Sequence, residues 1–126
     1  MNKISISFAS TSFEAKLNDS PTAQAIWEAL PIEGRATTWG DEIYFAIPVK
    51  MPPEDDARAE VELGELGYWP MGDAFCIFFG PTPVSTDEKP RAYSPVNIIG
   101  QIHAQPAALR SIQEGETVKL TRSVAE

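Results

Sequence analysis

The sequence predicts a mainly β protein of about eight strands and two short helices, a number of strands that fits a small closed barrel filled by its own side chains. Three observations support this class. Short runs in which apolar and polar residues alternate recur along the chain, as in half-buried strands. The run Ala74–Phe79 is apolar throughout, which is typical of a strand covered on both faces. Two segments carry the start signals of a helix.

The length and composition of the chain indicate one domain. The chain has 126 residues, of which 43% are hydrophobic, enough for one sizeable core, and we predict a single domain over residues 1–126. The 18 acidic residues outnumber the 10 lysines and arginines and give a net charge of −8. That charge repels phosphate backbones and anionic lipid surfaces. It therefore predicts that neither nucleic acid nor a membrane is a partner.

The N-terminal segment and the single cysteine bear on the cellular location of the protein. Met1–Ile6 lacks the apolar block of a signal peptide, and no segment approaches the length needed to span a bilayer. Cytoplasmic residence is the resulting expectation. Cys76 is the only cysteine, so no internal disulfide can form. Within its apolar strand we expect it to be a small buried hydrophobe.

The first elements are two strands and a helix. Alternation predicts strands over residues 3–8 and 13–17, joined by a turn at 9–12. Ser20 can cap a helix whose first position is Pro21. The helix presents one apolar stripe and ends before Pro31; the stripe consists of Ala23, Ile26, Trp27 and Leu30.

A hairpin follows the helix. Residues 35–39 and 42–48 are rich in β-branched and aromatic side chains and flank Gly40-Asp41, which predicts two strands around a tight turn. Glu42 and Tyr44 share one face of the second strand, and Ile43, Phe45 and Ile47 share the other. Residues 50–58 then form an acidic loop, and residues 59–66 return to strand alternation.

The second half of the chain supplies the remaining elements. A turn at residues 70–73 feeds the apolar strand 74–79, and 81–95 is the longest irregular segment, of a length that is often functional. Residues 96–102 form a further strand. A short helix starts at Pro106 and ends before Gly115, and a last strand runs from Thr117 to Val124.

Four blocks of this sequence resemble a known family. They are residues 38–45 (TWGDEIYF), 67–72 (GYWPMG), 76–83 (CIFFGPTP) and 96–100 (VNIIG), and they resemble the small prokaryotic cyclophilin-like proteins. The blocks lie in order over nearly the whole chain. The resemblance implies a closed eight-stranded β-barrel with two short capping helices, the cyclophilin fold.

The resemblance does not extend to the isomerase site. Cyclophilins are prolyl isomerases in which an arginine after Phe-His, in the strand after the first helix, hydrogen-bonds the prolyl nitrogen. The comparable strand here, Tyr44–Pro48, has no arginine. Their histidine four residues before a strand glycine corresponds to Val96, before Gly100. Both departures argue against isomerase activity, although Arg35 or Arg91 could substitute from elsewhere.

Aromatic and acidic residues around the hairpin are the first candidates for a site. Trp39, Glu42 and Tyr44 could form a ligand pocket in which Glu42 accepts hydrogen bonds or acts as a base with a raised pKa. The alternative is that Glu42 caps the turn and Trp39 packs in the core.

A second candidate group comes from the later blocks. Tyr68, Trp69 and Phe78 suit a groove for a proline, an aromatic ring or an extended peptide; the alternative is that they seal the end of the barrel. Asn97 interrupts an apolar strand. It could bind a ligand, but a buried amide more often fixes the backbone of a loop, here the long one at 81–95.

No motif indicates catalysis. His103 is the only histidine and has no partner at catalytic spacing, so we expect it to be solvated. Glu54-Asp55-Asp56 is an acidic cluster of the kind that is usually solvated. A phosphate-binding glycine loop is absent from the sequence. We predict no catalytic residue, no metal and no cofactor.

Three functions remain open at this stage. The first is a non-catalytic binding module whose aromatic cleft takes a small molecule or an extended peptide. The second, from the resemblance in fold alone, is a divergent prolyl isomerase. The third is a structural subunit in which the aromatic patch is an oligomer interface.

Overall fold

The computed structural model of the chain describes residues 2–123, which form ten strands and two α-helices. The strands are β1 (Asn2–Ser7), β2 (Ser12–Leu17), β3 (Ile32–Arg35), β4 (Thr37–Thr38), β5 (Glu42–Ala46), β6 (Arg58–Glu60), β7 (Glu65–Trp69), β8 (Ala74–Phe78), β9 (Arg91–His103) and β10 (Thr117–Arg122). The helices are α1 (Pro21–Ala29) and α2 (Pro106–Arg110). The mainly β class with two short helices is confirmed.

The described strands form one antiparallel sheet in the order β3-β10-β1-β2-β9-β7-β8-β5-β4, and β6 pairs with β9 outside this path. Within residues 2–123 the pairing thus runs from β3 to β4 without a ladder that joins these two ends. A closed barrel is therefore not confirmed, and the strands number ten rather than eight. The two ends nevertheless lie close together, because only Ala36 separates β3 from β4 in the chain.

Helix α1 forms where its capping residues predict it. The Ser20 Oγ accepts a hydrogen bond of 3.2 Å from the Ala23 N–H, and Pro21 occupies the first turn. Ala23 and Ile26 are buried, while Trp27 packs against the core from its edge. Across residues 2–123, no helix is both long enough and apolar enough to cross a membrane.

Strand β8 is buried on both faces, as its unbroken apolar run predicts. Phe75 and Ile77 face the main core, where Phe45 stacks on Phe75 with ring centroids 5.3 Å apart. Cys76 and Phe78 point the opposite way, into a smaller apolar cluster. The second face of β8 is covered because β6 and the first half of β9 cross over it. This crossing creates the space in which the candidate site lies.

Two sequence predictions about the strands need correction. Residues 59–66 are not one strand: Gly64 takes a positive φ of 84°, a conformation that favours glycine, and the chain turns there between β6 and β7. The irregular segment 81–95 ends earlier, because β9 begins at Arg91. Pro95 lies inside β9, where the ladder with β6 is irregular, since proline has no N–H to donate. Val124, the predicted end of the last strand, lies outside the described residues.

Candidate functional site

A cavity of about 240 Å³ opens on the face of the sheet that points away from the main core. Strands β5, β7 and β8 form its floor, and the first half of β9 forms one wall. Its lining is mostly apolar and aromatic, with one carboxyl group; the lining residues are Trp39, Glu42, Tyr44, Trp69, Cys76, Ala92, Tyr93 and Val96.

The β4–β5 hairpin brings the first three of these residues together. The Trp39 N–H donates to the Glu42 carbonyl at 2.9 Å, and the Glu42 N–H donates back to the Trp39 carbonyl at 3.2 Å. Gly40 is the first central residue of the turn and has a φ of 59°, as a type II′ turn requires. Directly opposed residues project from the same face of a hairpin, and so does Tyr44, two positions beyond Glu42.

Three residues paired across β5, β8 and β7 form the floor of the cavity. Tyr44 pairs with Cys76 across β5 and β8, and Cys76 pairs with Gly67 across β8 and β7. A Cβ atom on Gly67 would lie 2.9 Å from a methyl carbon of Val96 and 3.2 Å from the ring of Phe78. Glycine at 67 therefore leaves room for the Val96 side chain in the wall of the cavity and for the Phe78 ring beneath its floor.

Three aromatic rings form the walls. The Tyr93 ring lies 6.3 Å from the Trp39 ring and 6.1 Å from the Trp69 ring between centroids, with interplanar angles of 69° and 81°. The Trp69 Nε1–H donates to the Ser94 Oγ at 2.6 Å, and the ring packs on Gly72, where a Cβ would lie 2.6 Å from two ring carbons. Trp69 is thus fixed from two sides, whereas Tyr93 is 68% exposed at the rim.

Glu42 is the one acidic residue in the lining, and it is 5% exposed. Burial raises the pKa of its carboxyl from 4.5 to about 7, and the neighbouring Cys76 thiol partly offsets this rise. Apart from the Cys76 thiol, a weak donor, no group among residues 2–123 donates a hydrogen bond to the Glu42 carboxyl. The group is therefore poised to change charge near neutral pH and to accept a donor from a ligand.

Cys76 does not add a nucleophile to this site. Burial and the adjacent Glu42 carboxyl raise the pKa of its thiol well above its ordinary value of 9.0, so the thiol stays protonated at neutral pH. Cysteine reacts as the thiolate. Cys76 acts as a small apolar part of the floor, as its place in the sequence predicts.

Two of the predicted aromatic site residues do not line the cavity. Tyr68 is fully buried on the opposite face of β7, where its hydroxyl donates to the Val49 carbonyl at 2.7 Å and accepts from the Met51 N–H at 3.2 Å. Phe78 is also fully buried, in the smaller apolar cluster beneath the floor. Trp69 alone of that group reaches the cavity.

Asn97 fixes a loop, although not the one that the sequence suggested. Its Oδ1 accepts from the Glu54 N–H at 2.8 Å, and its Nδ2 donates to the Thr22 Oγ1 at 2.9 Å and to the Pro52 carbonyl at 3.1 Å. These bonds tie the acidic loop 50–58 to α1 and β9, rather than the segment 81–95. The side chain is occupied by the protein and does not line the cavity.

Sequence reasoning missed the wall supplied by β9. Tyr93, Ala92 and Val96 line the cavity, and Tyr93 was hidden in the predicted irregular segment. The available signal was an aromatic residue in a long proline-rich segment, which is where ligand contacts often lie. His103, by contrast, is exposed at the end of β9, as expected. Over residues 2–123, no group of three His, Cys, Asp or Glu side chains is placed to hold a metal.

Comparisons with known proteins agree with this architecture. The solution structure of the hypothetical protein AF2241 from Archaeoglobus fulgidus is 41% identical in sequence with a TM-score of 0.81, and the match covers 97% of this chain and 95% of that one. The structure of McbB in complex with tryptophan is similar in fold, at 15% identity and a TM-score of 0.67, over 98% of this chain and 46% of McbB. No curated protein matches the chain.

The family assignment comes from the sequence and is consistent with the fold. Residues 2–121 match the Cyclophilin-like family, which includes all four blocks that carry the resemblance. The antiparallel sheet with two short helices has the element content that this resemblance implies. The chain therefore belongs to the Cyclophilin-like family.

Proposed function

We propose that this chain is a binding module whose cavity takes a small molecule or the side chain of an extended peptide. The observation that carries the proposal is the buried Glu42 carboxyl, which has only the weak Cys76 thiol as a donor among the described residues and lies within an aromatic lining. A buried carboxyl without a strong hydrogen-bond donor is costly. A ligand that donates to it removes this cost, while the rings of Trp39 and Trp69 bury its apolar part.

The size of the cavity favours a small ligand. Ligand pockets commonly span about 300–1,000 Å³, and this cavity of about 240 Å³ lies just below that range. An extended peptide would fit only if one side chain entered the cavity and the remainder lay along the rim. McbB, of which this chain matches 46% in fold, has been determined in complex with tryptophan, and a small aromatic molecule is one candidate ligand for this cavity.

The lining favours binding over prolyl isomerisation. Among the described residues that line the cavity there is no arginine, the group that the resemblance to cyclophilins would require. Arg91, a substitute that the sequence left open, forms an ion pair with Glu60 at 3.0 Å and is absent from the lining. The neutral Cys76 thiol offers no covalent alternative.

Fluorine NMR tests the proposal directly. The chain has three tryptophans, of which Trp39 and Trp69 line the cavity while Trp27 lies under the guanidinium of Arg122, 4.4 Å away. Protein labelled with 5-fluorotryptophan should give three resonances, each assigned by a Trp→Phe variant. A library of small metabolites and short peptides should contain compounds that shift the Trp39 and Trp69 resonances and leave Trp27 in place.

Two variants and one contrary result complete this test. Trp69→Ala and Glu42→Gln should weaken every binding event found in this way, because they remove a wall and the polar anchor of the cavity. Glu88→Gln, on an exposed part of the segment before β9, is the matched control and should bind normally. A library that moves neither cavity resonance, or ligands that bind both cavity variants normally, would contradict the proposal.

A further inference from the structure

The cavity combines aromatic walls with a single buried acid, and this combination specifies a ligand chemistry. We propose that the bound group is an alkylammonium cation, primary or methylated, that lies between the rings of Trp39, Trp69 and Tyr93 and pairs with the Glu42 carboxylate. This inference rests on the proposed function and names the class of ligand for the same cavity.

The arrangement of the rings supports a cation. Tyr93 stands at 69° to Trp39 and at 81° to Trp69, so the three rings form adjoining walls rather than a parallel stack. Rings arranged in this way around a common space can present several π-faces to one group. A cation within about 6 Å of such faces is attracted by their quadrupoles, and tryptophan is the strongest of these partners.

The charges around the cavity also favour a cationic ligand. The eight described lining residues include the Glu42 carboxyl but no lysine or arginine. The neighbouring acid, Asp41, is already paired with Arg110 at 2.9 Å and does not need a ligand. A carboxylate at the buried position of Glu42 lacks a counter-charge, and a cation from the ligand would supply it.

Other ligand classes fit less well. An anion would meet the Glu42 carboxyl without any cationic side chain in the described lining. A wholly apolar ligand would cover the carboxyl and leave it with only the weak Cys76 thiol as a donor, which is unfavourable. The net charge of −8 also favours the approach of a cation over that of an anion.

Proton release should accompany binding. Burial gives the Glu42 carboxyl a pKa of about 7, so a substantial share of the molecules carry a proton there at neutral pH. The cation binds the charged carboxylate and therefore expels that proton. Below pH 7 the affinity should fall by about tenfold per pH unit as the carboxyl protonates, and above pH 8 it should be nearly constant.

Choline and its uncharged isostere, 3,3-dimethylbutan-1-ol, form the matched pair of probes. At pH 8, choline should shift the fluorine resonances of Trp39 and Trp69 and bind at least tenfold more tightly than the alcohol. Calorimetry in two buffers of different ionisation enthalpy at pH 7 should detect protons released on choline binding. Glu42→Gln should reduce choline affinity at least tenfold and abolish both the proton release and the pH dependence, whereas Glu88→Gln should change neither.

Two further arms separate the source of the ammonium group. The blocked peptide acetyl-Gly-Lys-Gly-amide is compared with its norleucine analogue, which lacks only the charged amine. Tighter binding of the lysine peptide than of choline would indicate a peptide side chain as the source, and the reverse order would indicate a free amine. Trp69→Phe keeps an aromatic ring in the wall and should weaken the binding of both cations. It serves as a second variant if Glu42→Gln proves unstable.

The outcomes distinguish the two proposals. If neutral aromatic compounds shift Trp39 and Trp69 while neither choline nor the lysine peptide does, the cation inference is wrong and the binding module stands. If no compound of any class shifts these resonances, both are wrong. Equal affinity for choline and its alcohol isostere would likewise overturn the inference.

Discussion

Trp39 and Glu42 are joined by two backbone hydrogen bonds, of 2.9 and 3.2 Å, across a turn of two residues. This pairing places a large ring and a buried carboxyl side by side on one face of the sheet. A tight hairpin is rigid because its ladder and turn leave little backbone freedom. The spacing between the ring and the acid is therefore built into the fold before any ligand arrives.

Replacement of Glu42 by glutamine should make the protein more stable at alkaline pH. The folded-state pKa of about 7 exceeds the ordinary 4.5, so the folded state holds the proton more strongly and its free energy of unfolding falls as pH rises from 4.5 through 7. At pH 8 the variant should be more stable by about 3 kcal/mol, at roughly 1.4 kcal/mol per pKa unit. Urea denaturation from pH 4 to 8.5 measures this, and a stability difference independent of pH would refute it.

Replacement of Gly72 by alanine should displace the Trp69 ring. A Cβ at position 72 would lie 2.6 Å from two carbons of that ring, which is too close for any relaxed packing. We expect a loss of about 1–3 kcal/mol in stability and a large shift of the Trp69 fluorine resonance. The control is Gly115→Ala, where φ is 92° but no atom lies within 4 Å of the new methyl group; it should cost stability and leave the Trp69 resonance unchanged.

Replacement of Asn97 by alanine should release the acidic loop without affecting the cavity. The variant loses three hydrogen bonds of 2.8 to 3.1 Å to Glu54, Thr22 and Pro52, and we expect about 3 kcal/mol of destabilisation. Hydrogen exchange should show a loss of protection at the Glu54 amide. Ligand-induced shifts of Trp39 should persist; if they vanish while the protein remains folded, Asn97 contributes to the site after all.

Replacement of Tyr68 by phenylalanine should affect stability alone. The hydroxyl bonds to Val49 and Met51 on the face of β7 opposite the cavity, and its removal should cost about 1–2 kcal/mol. Thermal denaturation measures the loss. Any cavity ligand should retain its affinity, in contrast to the effect of Trp69→Ala, and a matching drop in affinity would show that the two faces of β7 are coupled.

A protease-coupled assay on an Ala-Pro peptide should detect no isomerisation above the uncatalysed rate. The barrier is about 18–20 kcal/mol, and the described lining offers no arginine to lower it. A cyclophilin with prolyl isomerase activity, under the same conditions, serves as the positive control. A rate above background that disappears in Arg91→Gln would support the hypothesis of a divergent prolyl isomerase.

Local patterns were enough to predict much of the fold. The start of α1 follows from Ser20 and Pro21, the β4–β5 hairpin from Gly40, and the double coverage of β8 from its unbroken apolar run. These features depend on residues that are close in sequence, where capping, turn geometry and periodicity act. Trp39, Glu42 and Tyr44 were found by the same logic, since a single hairpin fixes their common face.

Non-local pairing explains what the sequence did not predict. Tyr93 reaches the cavity only because β9 crosses to pair with β6, and Asn97 meets the loop 50–58 only in the folded sheet. The burial of the Phe78 side chain likewise depends on side chains from other strands that cover β8. Register between distant strands is decided by the whole set of contacts, and no window of the sequence contains that information.

The alternation along β8 has a consequence for how this family can diversify. Ile77 belongs to the main core, whereas the adjacent Cys76 lines the cavity. A change at position 76 can therefore alter the cavity while the residue at position 77 continues to fill the core. The chemistry of the cavity lining can in this way vary among relatives while the packing of the core is retained.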